Sequence, residues 1–508
     1  MKRNITNKLF SSLIVLVALG QTALAADRPN ILFIMADDHT YQAIGAYGSR
    51  LAKLNPTPVI DSLARGGTRF DRVFCNNSIC VPSRASIITG QYSQTNGITV
   101  LAGQIPPERQ YLPIEMKKAG YATAMVGKWH LSAEPAAFDY YAVFPGQGKY
   151  FDPDFRVQGA KQWPENIIAK KGQHSSDAVT DLSLDWLKND RDKSKPFFLM
   201  HHFKAPHDMF QNARRYDTYL EDVEIPEPAN LFDPPDGSVG SRGFGSGVGR
   251  THAPWQLARR LGVPKELDDR AYAKEGYRRY LRRYLRCVKG VDDNVKRLLD
   301  YLEEEGEFDN TVIFYTGDQG FFLGEHDLMD KRWMYEQAFR MPLIVHWPDK
   351  VKAGAVNDWL INNTDFAPTM LALAGIETPK YMQGRSFAAA LAGQPKPSDW
   401  RKVTYYRYWM HMAHWLAVPS HFGIRGERYK LIFFYGLDSS GKKPTPPAWE
   451  FYDLENDPME MKNQYGNPKY AEIIAEMKKQ LKQTRERLNE TDNNPAIQAI
   501  IEKHWRKK

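Results

Sequence analysis

Short apolar runs alternate with longer amphipathic stretches through the first 400 residues of the chain. Four of these runs, at residues 31–35, 122–126, 197–200 and 311–315, have the length and composition of buried strands. Their alternation with helical patterns predicts an α/β fold, with a mostly parallel central sheet flanked by helices. Charged or imidazole side chains follow each run. Because open parallel sheets bind ligands at the carboxyl ends of their strands, these side chains are expected to share one site.

Residues 271–302 have the periodicity of one long helix. Its apolar stripe consists of Tyr277, Leu281, Tyr284 and Val288. Its basic stripe consists of Arg279, Arg282, Arg283 and Arg286. We expect the basic stripe to be a solvated face of the helix. The alternative is that it binds a polyanion. A Gly/Pro/Ser-rich stretch between residues 232 and 255 is expected to form a flexible surface loop.

The pattern changes after residue 400. Apolar runs at residues 403–406 and 429–435 predict antiparallel strands, and a C-terminal helix follows. The apolar face of that helix consists of Ile474, Met477, Leu481 and Leu488. Because 508 residues exceed the size of one hydrophobic core, we predict a catalytic domain at 26–400 and a smaller α+β domain at 401–508.

Residues 1–25 have the features of a secretory signal peptide. A positively charged segment precedes an apolar segment at residues 9–19, and residues 23–25 provide a small-residue cleavage site. An exported protein is therefore expected, periplasmic or secreted. No later stretch approaches about 18 uninterrupted apolar residues, so we expect no membrane anchor.

Removal of residues 1–25 takes away three positive and no negative charges, so the net charge falls from +8 to +5. Basic charge alone leaves anionic polysaccharide, nucleic acid and membrane surfaces open as partners. No nucleic-acid-binding module is recognisable, so nucleic acid is not an expected partner. The chain also lacks the G-x-S-x-G, H-E-x-x-H and Walker A motifs of other hydrolase and nucleotide-binding classes.

Cys80 is the most informative of the three cysteines. Pro82 suits the first turn of a helix, which would place Cys80 at a helix N-terminus, where free N–H groups favour an anion. Arg84 follows one turn later and could project toward the same end. From these residues alone, a reactive cysteine and a buried structural cysteine remain equally open.

The string Cys80-x-Pro82-Ser83-Arg84, with Thr89-Gly90 after it, resembles the signature of the type I, formylglycine-dependent sulfatases of the alkaline-phosphatase-like superfamily. Further motifs of that family appear in the expected order at residues 127–131, 204–207, 317–320 and 330–336. The sequences at 144–148 and 318–336 are most similar to bacterial polysaccharide and N-acetylglucosamine-6-sulfatase-like members. The resemblance implies an alkaline-phosphatase-like fold.

This resemblance implies that a maturing enzyme oxidises Cys80 to formylglycine, whose hydrate attacks sulfur. It also implies one divalent cation per chain, held by the modified Cys80 and four further residues. Those four are Asp37, Asp38, Asp318 and Gln319. Their hard oxygen ligands favour Ca²⁺ over Mg²⁺. Gln319 departs from the Asn or His common in the family, so the metal preference stays open.

The resemblance also implies roles for the remaining polar groups. Arg84 holds the gem-diol at position 80, and His130 assists its second hydroxyl. Lys128 and Lys331 bind sulfate oxygens, and His207 protonates the leaving oxygen. Three further residues are predicted to recognise sugar hydroxyls or a neighbouring charge, namely Asp208, His421 and Arg425.

The function predicted from these motifs is that of a sulfuric ester hydrolase acting on a sulfated carbohydrate. Fragments of carrageenan, ulvan or glycosaminoglycan are candidate substrates. One alternative is a phosphonate monoester or phosphodiester hydrolase of the same superfamily. The other is a non-catalytic binder of sulfated glycans, which would apply if Cys80 is never converted.

Overall fold

The computed structural model describes residues 28–159, 161–249, 257–492 and 494–505. The predicted signal peptide at residues 1–25 lies outside this part of the chain. None of the helices in the described ranges combines the length and the apolar composition that a membrane crossing requires.

The strands, in chain order, are β1 Asn30–Ala36, β2 Thr68–Phe70, β3 Val73–Phe74, β4 Ala122–Gly127, β5 Tyr140–Val143, β6 Asp154–Val157, β7 Ile167–Ala169, β8 Phe197–Phe203, β9 Thr311–Gly317, β10 Phe322–Leu323, β11 Met329–Asp330, β12 Arg340–Met341, β13 Leu343–His346, β14 Ala355–Asn357, β15 Ile361–Asn362, β16 Thr404–Tyr408, β17 His421–Arg425, β18 Tyr429–Phe434 and β19 Ala448–Asp453. The α-helices are α1 Pro58–Gly66, α2 Cys80–Thr89, α3 Ser93–Asn96, α4 Tyr111–Lys118, α5 Ser175–Asp185, α6 Leu257–Arg260, α7 Asp269–Glu304, α8 Glu336–Phe339, α9 Phe366–Leu373, α10 Ala388–Leu391, α11 Ala471–Arg487 and α12 Pro495–Trp505.

The large sheet has ten strands in the order β14-β2-β13-β9-β1-β8-β4-β5-β6-β7. Its centre, from β9 to β5, is parallel throughout, and all four strands predicted from the apolar runs lie in it. Antiparallel pairs of β13 with β9 and of β5 with β6 extend this centre on both sides. The predicted α/β fold with a mostly parallel centre is therefore confirmed, with mixed edges.

Strand β1 is buried on both faces. Ile31, Phe33 and Met35 point into one hydrophobic core, which also contains residues of α2, α4 and α9. Leu32 and Ile34 point into the other core, which contains residues of α1, α5 and α7. A continuous apolar run is the pattern expected of a strand covered by helices on both sides.

Helix α7 confirms the predicted long helix and its buried apolar stripe, but the basic stripe is solvated only in part, since Arg283 is exposed and Arg282 is buried. Arg282 is buried and donates hydrogen bonds to the carbonyl oxygens of Leu220, at 2.7 Å, and Val223, at 3.2 Å. Arg286 donates to the carbonyl oxygen of Tyr219 at 2.8 Å. These arginines fix a neighbouring loop to the helix, a tertiary contact that helical periodicity does not reveal.

The Gly-rich stretch is also more ordered than its composition predicts. Its described part includes buried Ser246, Gly247 and Val248. The amide of Val248 donates to the carbonyl oxygen of Asp327 at 3.2 Å, and Gly247 forms a bridge with Leu328. The expectation of a flexible surface loop was therefore wrong for these residues, because a second loop covers them.

The C-terminal region contains the predicted antiparallel sheet, in the order β16-β17-β18-β19. Its two faces have different partners. Leu431 and Phe433 of β18 pack with the apolar face of α11, whereas Ile432 and Phe434 join the core of the large sheet. The division between residues 26–400 and 401–508 stays a prediction.

Candidate active site

The carboxyl ends of the central strands meet at one point, as their sequences predict. Asp37 and Asp38 follow β1, Lys128 follows β4, and Asp318 and Gln319 follow β9. All five side chains are buried. Parallel strands bring these distant segments together because their ends lie at the same edge of the sheet.

Helix α2 places the side chains of Cys80 and Arg84 at this edge of the large sheet. Cys80 is its first residue and is 1% exposed, and Arg84 lies one turn later on the same face. The Nε atom of Arg84 donates to Asp318 Oδ2 at 3.0 Å. The Sγ atom of Cys80 lies 3.4 Å from Asp37 Oδ1. The helix thus places a sulfur atom and a guanidinium group against the acidic residues.

The acidic cluster fits a divalent cation. Carboxylate oxygens of Asp37, Asp38 and Asp318 lie within 4.8 Å of one another. The buried Oε1 atom of Gln319 has no hydrogen-bond partner and belongs to the same edge. Carboxylate and amide oxygens are the ligands that Ca²⁺ prefers, so the predicted donor set is chemically consistent.

Tyr284 supports the acidic cluster from helix α7. Its hydroxyl donates to the carbonyl oxygen of Asp38 at 2.6 Å and accepts from the amide of Thr40 at 3.1 Å. Asp38 has a left-handed φ of 65°, which is costly for a residue with a Cβ atom. The hydroxyl therefore stabilises an unusual backbone conformation next to a candidate ligand, a role that the sequence did not indicate.

Two lysines neutralise the carboxylates. Lys128 Nζ pairs with Asp37 and lies 2.5 Å from Gln147 Oε1 and 3.9 Å from Cys80 Sγ. Lys331 Nζ lies 2.6 Å from both carboxylate oxygens of Asp38. Because both ammonium groups border Cys80 or its acidic neighbours, they are placed to bind an anion that approaches the sulfur atom.

Burial and neighbouring charges shift the pKa values of these groups in opposite directions. Burial favours a raised pKa for Asp37, but Lys128, His207, Arg84 and Lys331 together outweigh it and hold the pKa well below its usual range. Burial raises the pKa of Asp318 to about 6, with Asp37 adding to the effect. Burial also raises the pKa of the Cys80 thiol, and Asp37 adds to this shift. A buried thiol held in its protonated form is a poor nucleophile.

Two histidines complete this part of the site. His207 Nε2 lies 3.8 Å from Asp38 Oδ2, while Nδ1 lies 2.9 Å from both Oδ1 and the carbonyl oxygen of Asp208. Both partners of Nδ1 accept hydrogen bonds, so this contact orients Nε2 toward the acidic cluster. Burial lowers the pKa of His130 to about 2, together with Lys128, and its buried Nδ1 has no partner.

An open pocket of about 420 Å³ leads from the surface to these groups. Cys80, His207 and Lys331 form part of its lining. The lining also includes residues that the sequence did not indicate as site residues, namely the polar Gln147, Arg260, Asp330 and Arg332 and the apolar Leu101 and Trp415. Sequence signals existed for three of them, since Gln147 lies in the family-like segment 144–148 and Asp330 and Arg332 flank Lys331 in the 330–336 motif.

Comparison with known proteins identifies the family of the chain. Residues 29–376 match the sulfatase family. The chain belongs to the sulfatase family. Residues 324–487 match a second family, described as the C-terminal part of N-sulphoglucosamine sulphohydrolase. The predicted sulfuric ester hydrolase is confirmed, and the non-catalytic alternative is set aside.

The sulfatase is similar to characterised sugar sulfatases over nearly its whole length. An N-acetylglucosamine-6-O-sulfatase of Bacteroides thetaiotaomicron is 40% identical over 509 residues, which cover 92% of this chain and 88% of the relative. A solved structure of a protein in complex with its substrate D-glucosamine-2-N,6-O-disulfate has a TM-score of 0.83 and 38% identity, and the match covers 92% of this chain and 99% of that chain.

The fold alone does not identify the reaction. A phosphonate monoester hydrolase from Silicibacter pomeroyi matches the sulfatase with a TM-score of 0.69 and 21% identity, and the match covers 92% of this chain and 96% of that chain. Similar architecture therefore occurs in a protein named for attack on phosphorus rather than on sulfur.

Two residues predicted to contact substrate do not line the sulfatase pocket. His421 is buried among aromatic rings, with its ring centroid 4.6 Å from that of Phe434 and 5.5 Å from that of Tyr406. Arg425 pairs with Glu336 at 3.2 Å. Of the three predicted sugar contacts, the structure brings only Asp208 to the pocket.

Proposed function

We propose that this sulfatase removes the 6-O-sulfate of glucosamine or N-acetylglucosamine residues in sulfated glycans. The observation that carries the proposal is the 40% identity, across 92% of the chain, to an enzyme named for that reaction. The 38% identical structure that contains a 6-O-sulfated glucosamine supports the same substrate class. Glycosaminoglycan fragments are the substrates that this assignment favours over carrageenan or ulvan.

Cys80 is the residue that a maturing enzyme converts to formylglycine, and position 80 then carries the nucleophilic oxygen. The buried, protonated thiol supports this conversion, because the unmodified side chain is poorly suited to attack an anionic ester. The protein is exported to the periplasm or secreted, in line with the expected signal peptide at residues 1–25.

Asp37, Asp38, Asp318 and Gln319 hold the divalent cation, and Ca²⁺ is the ion that their oxygen ligands suit best. When bound, such an ion supplies a Lewis acid that offsets the negative charge of the sulfate ester.

The other side chains perform the remaining steps. Lys128 and Lys331 hold the sulfate oxygens over position 80, and Arg84 and His130 orient the nucleophilic oxygen there. His207 lies on the pocket side of the cluster and donates a proton to the leaving sugar oxygen, because an alkoxide is a poor leaving group. Asp208 holds the imidazole through its Nδ1 atom.

The sugar binds to polar residues of the pocket lining. Arg332 Nε donates to Asp330 Oδ2 at 2.9 Å, and its Nη1 atom donates to the hydroxyl of Tyr408 at 3.1 Å. This fixed pair presents one anionic and one cationic group beside Lys331, and such groups recognise sugar hydroxyls by hydrogen bonding.

The test is ion chromatography of sulfate released from a panel of sulfated monosaccharides. The sulfatase is produced together with a maturing enzyme, and the panel contains N-acetylglucosamine sulfated at O6 or O3 and N-acetylgalactosamine sulfated at O6. We expect release from 6-O-sulfated N-acetylglucosamine at a rate at least about tenfold above the others, since losing one well-placed sugar contact costs about 1–3 kcal/mol. Equal release from all three sugars, or faster cleavage of a phosphonate monoester, would contradict the proposal.

A further inference from the structure

The loop between β16 and β17 carries an unusually exposed aromatic side chain. Trp415 is 79% exposed, whereas the next most exposed large hydrophobic residue of the described chain, Val356, is 55% exposed. Trp415 lines the same pocket as Cys80, His207 and Lys331. An indole in water at the entrance of a substrate pocket needs an explanation, because large aromatic groups are usually buried.

The loop that displays Trp415 is held in position from both sides. The amide of Met412 donates to the carbonyl oxygen of Val418 at 2.9 Å, which closes the base of the loop. The amide of Gly245 donates to the carbonyl oxygen of Ala417 at 3.2 Å, which ties the loop to the buried Gly-rich stretch. Trp415 has a left-handed φ of 62°, a conformation that L-residues seldom adopt. His414 and Ala417 of the same loop also have positive φ values, of 58° and 50°, so contacts on both sides hold an unfavourable backbone in place around the exposed side chain.

The pocket combines polar and apolar groups at different depths. Cys80 and Lys331, where the sulfate binds, are almost fully buried, whereas Trp415, which lines the same pocket with Leu101, is 79% exposed. A pyranose ring has hydroxyl groups at its edge and C–H bonds on its faces, so it suits a site with hydrogen-bonding groups on one side and an aromatic face on the other.

The size of the pocket limits what it can enclose. Its 420 Å³ is near the lower end of the range of ligand pockets, which is roughly 300–1,000 Å³. This volume suits one sulfated sugar, and the pocket opens to the surface. A glycan whose sulfated residue occupies the pocket must therefore place its next residue near the entrance.

We infer that Trp415 is a platform on which the sugar unit linked to the sulfated residue stacks, which makes the sulfatase selective for oligosaccharides over monosaccharides. The inference rests on the proposed function and extends it from the sulfated sugar to its neighbour. Trp415 acts on substrate binding and takes no part in the attack on sulfur or in proton transfer.

The experiment compares kcat/KM for 6-O-sulfated N-acetylglucosamine with that for an oligosaccharide carrying the same sulfated residue at its end. In Trp415→Ala, we expect the ratio of oligosaccharide to monosaccharide kcat/KM to fall about five- to tenfold, the size of a typical aromatic contact. Trp415→Phe retains an aromatic face and should keep most of the ratio. Because the side chain is 79% exposed, neither variant removes core packing.

Tyr381→Ala is the matched control, since Tyr381 is an exposed aromatic residue that does not line the pocket. It should leave the ratio unchanged. A ratio in Trp415→Ala within twofold of wild type, with sulfate released from both saccharides, overturns this inference alone. Failure of the wild-type enzyme to release sulfate from either saccharide overturns the proposed function, and this inference with it.

Discussion

Two clusters of buried charges are linked by the segment from Lys331, which belongs to the first, to Glu336, which belongs to the second. The clusters differ in how completely their polar atoms are paired. The site cluster comprises Asp37, Asp38, Asp318, Arg84, Lys128 and Lys331, and the interface cluster comprises Glu336, Arg425, Lys430 and Glu460. Each contains equal numbers of acidic and basic side chains. Their surroundings, not their net charge, distinguish them.

The interface cluster is closed. Lys430 Nζ lies 2.8 Å from Glu336 Oε1, 2.7 Å from Glu460 Oε1 and 2.8 Å from the carbonyl oxygen of Met334. Arg425 completes the pairing of Glu336. All four side chains are described, and none has a buried polar atom without a partner. Such complete pairing is what a buried ionic group requires in order not to destabilise the fold.

The site cluster is open. The buried Oε1 atom of Gln319 and Nδ1 atom of His130, which adjoin it, have no protein partner. Cys80 and Lys331 also face the pocket. Unpaired buried polar atoms are rare and costly in proteins. The site edge of the sheet therefore retains hydrogen-bonding capacity for an ion and a substrate, whereas the interface cluster uses its capacity to join β17 and β18 to the large sheet.

Removal of the Cys80 side chain from the site cluster should reduce turnover most. In Cys80→Ala we expect turnover to fall by at least about 10⁴-fold, the scale typical of lost nucleophiles, with little change in melting temperature. Sulfate release by ion chromatography and a thermal melt measure the two quantities. Cys287→Ala, which removes another buried cysteine, should keep turnover. Full activity in Cys80→Ala would rule out formylglycine at this position.

Weakening the acidic cluster should reduce activity by a smaller factor. Asp318→Asn replaces one charged ligand, and we expect kcat to fall on the order of 10²-fold or more, since a metal ion contributes several kcal/mol to charge stabilisation. Added Ca²⁺ should raise the melting temperature of the chelator-treated wild type but not of this variant. Asp292→Asn, a change at a buried carboxylate that binds the amide of Ile60 at 2.9 Å, should retain the Ca²⁺ response. An unchanged melting temperature of the wild type on addition of Ca²⁺ would count against a cation site at these residues.

Loss of the proton donor should depend on the leaving group. His207→Ala should lower kcat for a sugar sulfate by about 10²–10⁴-fold and should lower it much less for 4-nitrophenyl sulfate, whose leaving group needs no proton. Steady-state kinetics on both substrates provide the comparison. His346→Ala, at a histidine of β13 outside the pocket, is the control. Equal losses on both substrates would assign His207 to binding rather than acid catalysis.

Breaking the closed cluster should affect stability rather than catalysis. Burial favours a raised pKa for Glu336, but Arg425 and Lys430 outweigh it, so this carboxylate is charged. Lys430→Met leaves it short of a partner, and the free energy of unfolding should fall by about 3–5 kcal/mol. Urea denaturation measures this loss, and kcat/KM of the folded variant should stay within about threefold of wild type. A large loss of kcat/KM without loss of stability would show that the two clusters are not functionally separate.

The candidate site was predictable because its residues lie in short local motifs that follow recognisable strands. Lys128 follows β4 and Asp318 follows β9, and strand ends in a parallel sheet must converge. Strand ends gave no such guidance for His421 and Arg425, and neither residue lines the pocket. His421 lies in an apolar segment and Arg425 in a basic one, and either segment is compatible with a core, an ion pair or a sugar site. Arg282 shows the same ambiguity on α7, since periodicity gives the side of the helix but not what covers it.

The four central strands, the helix that begins at Cys80 and the order of the sulfatase motifs could be read from the sequence, because these depend on local periodicity and on residues close together in the chain. Which charges are paired and which face the pocket depends on the tertiary structure. Lys331 and Arg425 are both buried cations, yet Lys331 borders the acidic cluster of the site, whereas Arg425 is paired with Glu336. Pairing depends on contacts between segments up to about 300 residues apart, and such contacts are set by the packing of the whole chain.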